Sequence, residues 1–242
     1  MISTLKSGKE TCVEVDIKGM FDGIACKYDL LNHLLSFGID RYWRRRASKI
    51  VKSYNPKELL DIATGTADLA IETARVLKNS QITGVDISSS MLKIGRQKVD
   101  NLNLSHKIKL LLACAEALPF SDNSIDAVTI GFGIRNFKNI SAGLAECHRI
   151  LKKGGVLCVL EFSEPQHALI KNSYNFYFSK IIPRVGGRIS QNNFAYNYLR
   201  DSVAEFPSGL DFVKILMQAG FKDAQFEPLS FGIATVYTAL KK

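Results

Sequence analysis

The sequence predicts an α/β fold of the doubly wound, Rossmann-like type: a seven-stranded sheet whose last strand pair is antiparallel, with helices on both faces and further helices leading in. Three observations predict it. Five short apolar runs recur down the chain, helix-length segments separate them, and two strand-like runs joined by a short link close it. Strands read as near-continuous hydrophobic runs when both faces of a parallel sheet are buried, and each parallel step needs a crossover helix.

Residues 1 to 16 read as a mobile N-terminal arm, and residues 17 to 242 as a single domain. Between Ile17 and Tyr54, Phe21, Ile24, Tyr28, Leu31 and Leu35 fall three or four apart, and Trp43, Ala47, Ile50 and Val51 follow beyond Gly38. That spacing predicts two leading helices. The apolar runs are ELLDIA (58 to 63), QITGVDI (81 to 87), IKLLLA (108 to 113), IDAVTIGF (125 to 132) and GVLCVLEF (155 to 162). Helices are expected near 66 to 78, 89 to 101 and 138 to 151, the last closing on Lys152-Lys153-Gly154-Gly155 as a cationic final turn and glycine cap. FKDAQFEPL (221 to 229) and GIATVYTAL (232 to 240) would form a hairpin at a sheet edge. Residues 165 to 206 carry Tyr174, Phe176, Tyr177, Phe178, Phe194, Tyr196, Tyr198 and Phe206, an aromatic-rich insertion expected to act as an apolar lid.

Composition bounds the chemistry. The chain has 242 residues, 46% of them hydrophobic, enough for a sizeable core and unlike a disordered or collagen-like chain. Its five cysteines are scattered and never spaced C-x-x-C, so neither a disulfide framework nor a metal site is expected, and a reducing cytoplasmic location is. The amino terminus lacks the apolar core of a signal peptide, and no apolar stretch approaches the ~18 residues of a membrane span. A net charge of +9 favours acidic surroundings: nucleic acid, an anionic lipid surface or a charged ligand.

The first apolar run leads into LLDIATGTADLA (59 to 70), and the second ends on Asp86, about 20 residues beyond Gly65. In nucleotide-binding doubly wound folds the turn after strand one lets a ligand approach the backbone, and an acid at the end of strand two accepts ribose hydroxyls. Thr66 and Asp86 fit that pattern. The turn keeps only Gly65, flanked by Thr64 and Ala67, which suits a pyrophosphate poorly. S-adenosyl-L-methionine has no phosphate but a sulfonium and an amino acid head group, and Asp61 beside a less open turn suits it better. Asp61 or Asp68 as a plain helix cap is the competing reading. At the end of strand three, Cys114 and Ala115 offer backbone N–H groups to an adenine edge.

The chain resembles the ubiquinone/menaquinone biosynthesis C-methyltransferase family from about Phe21 to its end. The resemblance rests on FDGIACKYDLLNHLLSFGIDRYWRR (21 to 45), DIATGTADLA (61 to 70), AEALPFSDNSIDAVTIGFGIRN (115 to 136), LEFSEP (160 to 165) and YNYLRDSVAEFP (196 to 207). It implies a class I methyltransferase fold, S-adenosyl-L-methionine as methyl donor, and transfer of the methyl group to a ring carbon of a reduced polyprenyl quinone. The family's cofactor residues fall on Thr66, Asp86 and the Cys114-Ala115 pair. Three positions depart from its pattern: Thr64 to Asp68 where it reads GGTGD, Cys114 where it has Asn or Asp, and Gly131 where it has Ser.

Methylating a hydroquinone carbon requires proximity, and a neighbouring hydroxyl that gives up its proton so that the phenolate pushes density onto the ring. Ligand chemistry in such folds lies outside the carboxyl ends of the strands, which here means Gly131 to Asn136 and Glu161 to Ser163. Arg135 is expected to stabilise the phenolate or to position a water that takes the proton, with Tyr28 and Asp29 closing the site; a loop arginine paired with an acid, and a helix-packing pair at Tyr28 and Asp29, are the plainer alternatives. The run RYWRRRASKIVK (41 to 52) reads either as a solvated helix face or as a contact with anionic headgroups at the inner face of the membrane. Demethylmenaquinol is the favoured acceptor. The alternatives are the corresponding benzoquinol, a nucleic-acid methyltransferase, and a non-catalytic cofactor-binding scaffold. GFGIRN replaces the (N/D)PP(Y/F)-like run of amino-group methylases, and Cys158 lies inside a strand rather than at its end, so no nucleic-acid substrate is expected.

Overall fold

Strand β1 (Glu58–Ile62) runs between β2 (Gln81–Asp86) and β4 (Ile125–Gly131), parallel to both. The computed structural model describes residues 38–165 and 201–242, together with Gly19, Met20, Asp22, Gly23, Ala25, Ser36 and Tyr198. With β3 (Ile108–Leu112), β5 (Leu151–Phe162), β6 (Lys222–Leu229) and β7 (Ala234–Leu240), the sheet has seven strands in the order β3-β2-β1-β4-β5-β7-β6. The first five are parallel, and β7 runs antiparallel to both β5 and β6. The chain steps outward from β1 to β3, then returns to the far side of β1 for β4. That reversal opens a crevice at the carboxyl ends of β1 and β4, where this fold class binds ligands.

Alternation along the strands divides the core in two. Leu59 packs on the face that carries α1 (Asp40–Lys52), α2 (Asp68–Val76) and α3 (Ser89–Asn101), while Leu60 and Ile62 face α4 (Ile140–Ile150) and α5 (Leu210–Gln218). Successive strand residues point to opposite faces, so near-continuous apolar runs were required. Helix α1 turns Trp43, Ala47 and Val51 inward. Trp43 is 1% exposed; its ring meets Phe162 edge-on at 6.1 Å, and its indole N–H donates to Ser230 Oγ at 2.8 Å. This fixes α1 against the ends of β4 and β5, above the crevice.

One expectation fails at the junction of α4 and β5. The helix ends at Ile150, and Leu151 already pairs with Ile125 as strand, so Lys152-Lys153-Gly154-Gly155 lie in β5 rather than in a helical last turn. Leu151 is fully buried, and seating it in the core forces an extended backbone. The register to β4 then shifts between Ile125 and Ala127, and the bulge uses Gly154 at φ +80° and Gly155, where a Cβ would stand 2.8 Å from the Lys152 carbonyl oxygen. The expected hairpin is present, its link a short 3-10 turn over Ser230–Gly232. The arm 1–16 and most of the aromatic insertion lie outside the described residues; of the eight aromatics, Tyr198 and Phe206 are described, and Phe206 packs in the core against Phe212. Among the described residues no helix is long and apolar enough to cross a membrane.

Candidate active site

The turn from β1 to α2 is built from three left-handed residues, Ala63 (φ +53°), Gly65 (φ +55°) and Ala67 (φ +68°). Two of them carry a methyl group, and the left-handed region costs an L-residue about 1–2 kcal/mol. Surrounding contacts hold them there, as strained backbone at functional sites is held. Asp61, fully buried beneath the turn, accepts from Thr64 Oγ1 and Thr129 Oγ1, each at 2.6 Å. Burial pushes its pKa up to about 6, against the opposing pull of the two hydroxyls. Asp61 therefore caps no helix. Asp68 is the first residue of α2 and does not cap it through its side chain; it pairs with Lys98, whose ammonium also donates to Thr66 Oγ1 at 3.2 Å.

Asp86, at the end of β2, closes the other side. Its Oδ2 accepts the Gly65 backbone N–H at 2.8 Å, and its Oδ1 accepts that of Ser88 at 2.8 Å. Desolvation raises its pKa, with these N–H groups pulling the other way. Ser88 donates in turn to Asp22 Oδ1 at 2.5 Å, which brings the leading segment to the crevice rim. Beyond β3, Ala115 is buried while Cys114 is exposed, its sulfur 2.6 Å from Glu116 Oε2. Burial, then the bond to Glu116, raises the Cys114 pKa, so the thiol stays protonated and gives its hydrogen to that carboxylate.

The loop after β4 packs directly on the turn. A Cβ at Gly133 would stand 2.5 Å from Ala63 Cβ, and one at Gly131 would stand 2.9 Å from Leu69 Cδ2. Arg135 extends from this loop to the end of β5. Its Nη1 donates to Glu161 Oε1 at 2.5 Å and to the Phe132 carbonyl at 2.7 Å, and its guanidinium lies 5.5 Å from the centre of the Phe162 ring. The Arg135 side chain is 6% exposed and that of Glu161 is 0% exposed. Arg135 is thus paired with an acid, as the plainer reading had it, yet its Nε is buried without a hydrogen-bond partner among the described residues. Beside it, the Tyr198 hydroxyl donates to Asn136 Oδ1 at 2.8 Å.

The structure therefore gathers Asp61, Gly65, Thr66 and Asp86 around one crevice and sets Arg135 at its β4–β5 end. Tyr28 and Asp29 lie outside the described residues. Sequence reasoning missed the pairing of Glu161 with Arg135, the Tyr198–Asn136 bond, and Arg44. The last was submerged in a cationic run, but the helical period turns it inward beside Trp43, where it is buried, pairs with Asp40 and lines the same cleft as Asp61 and Thr66. His148 is half-buried, edge-on against Phe221 at 5.2 Å.

The residues present suit S-adenosyl-L-methionine. Asp61 and Asp68 face the turn, Asp86 borders it, and the turn lacks the open glycine cradle of a phosphate site. A seven-stranded sheet in the order β3-β2-β1-β4-β5-β7-β6 with β7 antiparallel, together with an acid ending β2, is the pattern of the class I S-adenosylmethionine-dependent methyltransferases. An S-adenosylmethionine-dependent methyltransferase of Thermotoga maritima has this fold, with a TM-score of 0.62 at 20% identity, covering 93% of this chain and 99% of that one. The chain belongs to the ubiE/COQ5 methyltransferase family, whose model matches residues 7–241. It is 45% identical over 226 residues to a demethylmenaquinone methyltransferase of Porphyromonas gingivalis, covering 93% of this chain and 92% of the relative. It is 48% identical over 226 residues to a ubiquinone/menaquinone biosynthesis C-methyltransferase of Geotalea daltonii, covering 93% and 96%.

Proposed function

We propose that this chain transfers the methyl group of S-adenosylmethionine to a ring carbon of demethylmenaquinol, giving menaquinol. Family membership supports the reaction class, and one observation carries the choice of an acidic aromatic acceptor. At the carboxyl ends of β4 and β5 a buried guanidinium, oriented by Glu161, holds an N–H with no partner among the described residues.

The bound cofactor supplies an activated, electrophilic methyl group. Thr66, Gly65 and Asp86 hold its nucleoside, Cys114 and Ala115 border the adenine through backbone N–H groups, and Asp61 keeps the turn in shape from below. Arg135 would offer that N–H to the quinol oxygen and stabilise the phenolate left when the hydroxyl proton passes to water; the negative charge raises electron density at the neighbouring carbon, whose own hydrogen leaves as a proton once it is methylated. Glu161 holds the guanidinium in place. Tyr28 and Asp29 are assigned to closing the site. No nucleic acid is required by this arrangement.

The acceptor carries a polyprenyl tail and partitions into the bilayer, so we assign a peripheral membrane contact to the exposed cations of α1, Arg41, Arg45, Lys49 and Lys52. Phe231 supports it: 78% exposed in the β6–β7 turn, it is set beside α1 by the Trp43–Ser230 bond and by the Arg46–Glu227 ion pair at 2.6 Å. Binding to anionic liposomes that falls with added salt and with Phe231→Ser is expected; binding indifferent to both removes the contact.

The decisive assay incubates purified protein with methyl-labelled cofactor and either reduced demethylmenaquinone or the demethylated benzoquinol. Label in the naphthoquinol is expected. Label only in the benzoquinol moves the reading to the ubiquinone pathway, and label in neither, from protein that binds S-adenosylhomocysteine, refutes quinol methylation.

A further inference from the structure

We infer that Arg44 binds the carboxylate of the cofactor's amino acid head group; the inference rests on the S-adenosylmethionine reading above. The cleft over the turn is lined by Arg44, Asp61, Thr66, Asp68 and Phe132 among others, and in that lining two carboxylates face a single cation. The head group brings an ammonium and a carboxylate, and the sulfonium adds a positive charge. The acids of the turn suit the positive groups. A carboxylate entering beside Asp61 and Asp68 needs a cation, because a buried charge is tolerated only when paired.

Arg44 is preset for that task. Its Nη1 is tied to Asp40, which also accepts from Ser36 Oγ at 2.8 Å, and its guanidinium lies 5.7 Å from the centre of the Phe132 ring. Nη2 stands 3.6 Å from Asp68 Oδ2, beyond hydrogen-bond distance, while Lys98 engages the other oxygen of Asp68. The second arm of the fork thus lies in the cleft beside Asp68 and makes no hydrogen bond among the described residues, which leaves its N–H groups to a planar, anionic partner that a guanidinium grips better than an ammonium does. Lys98 does not line this cleft, and Arg41, Arg45 and Lys49 point outward from the exposed face of α1.

The test compares two ligands by calorimetry. S-adenosylhomocysteine carries the head group; 5′-methylthioadenosine has the same nucleoside and a thioether but no amino acid. Arg44→Gln should weaken S-adenosylhomocysteine at least tenfold and leave 5′-methylthioadenosine within twofold, with Arg44→Lys between Gln and wild type. The pair Asp40→Asn with Arg44→Gln, which leaves no unpaired charge at position 40, should show the same selectivity and covers the case in which the single variant fails to fold. Equal losses for both ligands, or no loss for S-adenosylhomocysteine, overturns the assignment. Wild-type protein that is folded yet binds neither ligand instead overturns the cofactor reading itself.

Discussion

The Asp86 carboxylate reaches back 21 residues to accept the backbone N–H of Gly65 at 2.8 Å, so the acid that ends β2 and the turn that follows β1 form one unit. Its charge organises the turn and remains available to hydroxyl donors from the crevice. Asp86→Asn removes the charge and leaves one acceptor oxygen where there were two, so either the Gly65 or the Ser88 N–H loses its partner. Charge-assisted hydrogen bonds contribute roughly 1.5–3 kcal/mol, so the variant should bind S-adenosylhomocysteine about ten- to hundredfold more weakly by calorimetry. Unchanged affinity would show that Asp86 serves the turn alone.

Asp61 gives the protein a pH dependence. Its folded pKa, about 6, lies above the ordinary aspartate value because burial disfavours the charge. The stabilisation linked to it is complete below about pH 4 and is lost as pH rises through about 6. At 1.36 kcal/mol for each pKa unit, the loss amounts to ~3 kcal/mol at neutral pH. Asp61→Asn should therefore be more stable than wild type in urea titrations at pH 7.5, with the difference closing below pH 4.

Gly133→Ala tests the contact between the β4 loop and the turn. The new methyl would stand 2.5 Å from Ala63 Cβ, on a residue already held at φ +53°. Overpacking of this kind costs about 1–3 kcal/mol. The displaced turn should also lower S-adenosylhomocysteine affinity, whereas equal affinity would mean that the two loops move independently.

Glu161→Gln leaves the Arg135 guanidinium buried without a countercharge. Breaking a buried pair from one side costs about 3 kcal/mol. Turnover should fall further than the affinity for S-adenosylhomocysteine if Glu161 serves the acceptor end of the crevice, as proposed. The exposed Lys214–Asp211 pair serves as control: Lys214→Ala should change denaturant stability by less than ~1 kcal/mol.

Much of this was legible in the chain. Five apolar runs with helices between them, then a terminal hairpin, imply a doubly wound sheet because a parallel strand buried on both faces admits little else. Thr66, Asp86 and the GFGIRN loop could be picked out because each follows a strand, and strand ends are where such folds bind. Local pattern misled at Lys152–Gly155, where glycines after cations look like a helix cap; burial of Leu151 against β4 outweighed that preference and made a bulged strand.

Tertiary structure decided what no periodicity encodes. The placement of β4 beside β1 sets Gly133 against a turn some 70 residues earlier, and the return of β5 alongside β4 delivers Glu161 to Arg135. Arg44 reads in sequence as one cation among several; the helical period places it on the buried face, and only the packing of α1 against α2 supplies Asp68 as its neighbour. Burial pattern is a property of neighbouring residues, so sequence carries it; the partner of a buried charge is fixed by strand order, which appears only when the chain has folded.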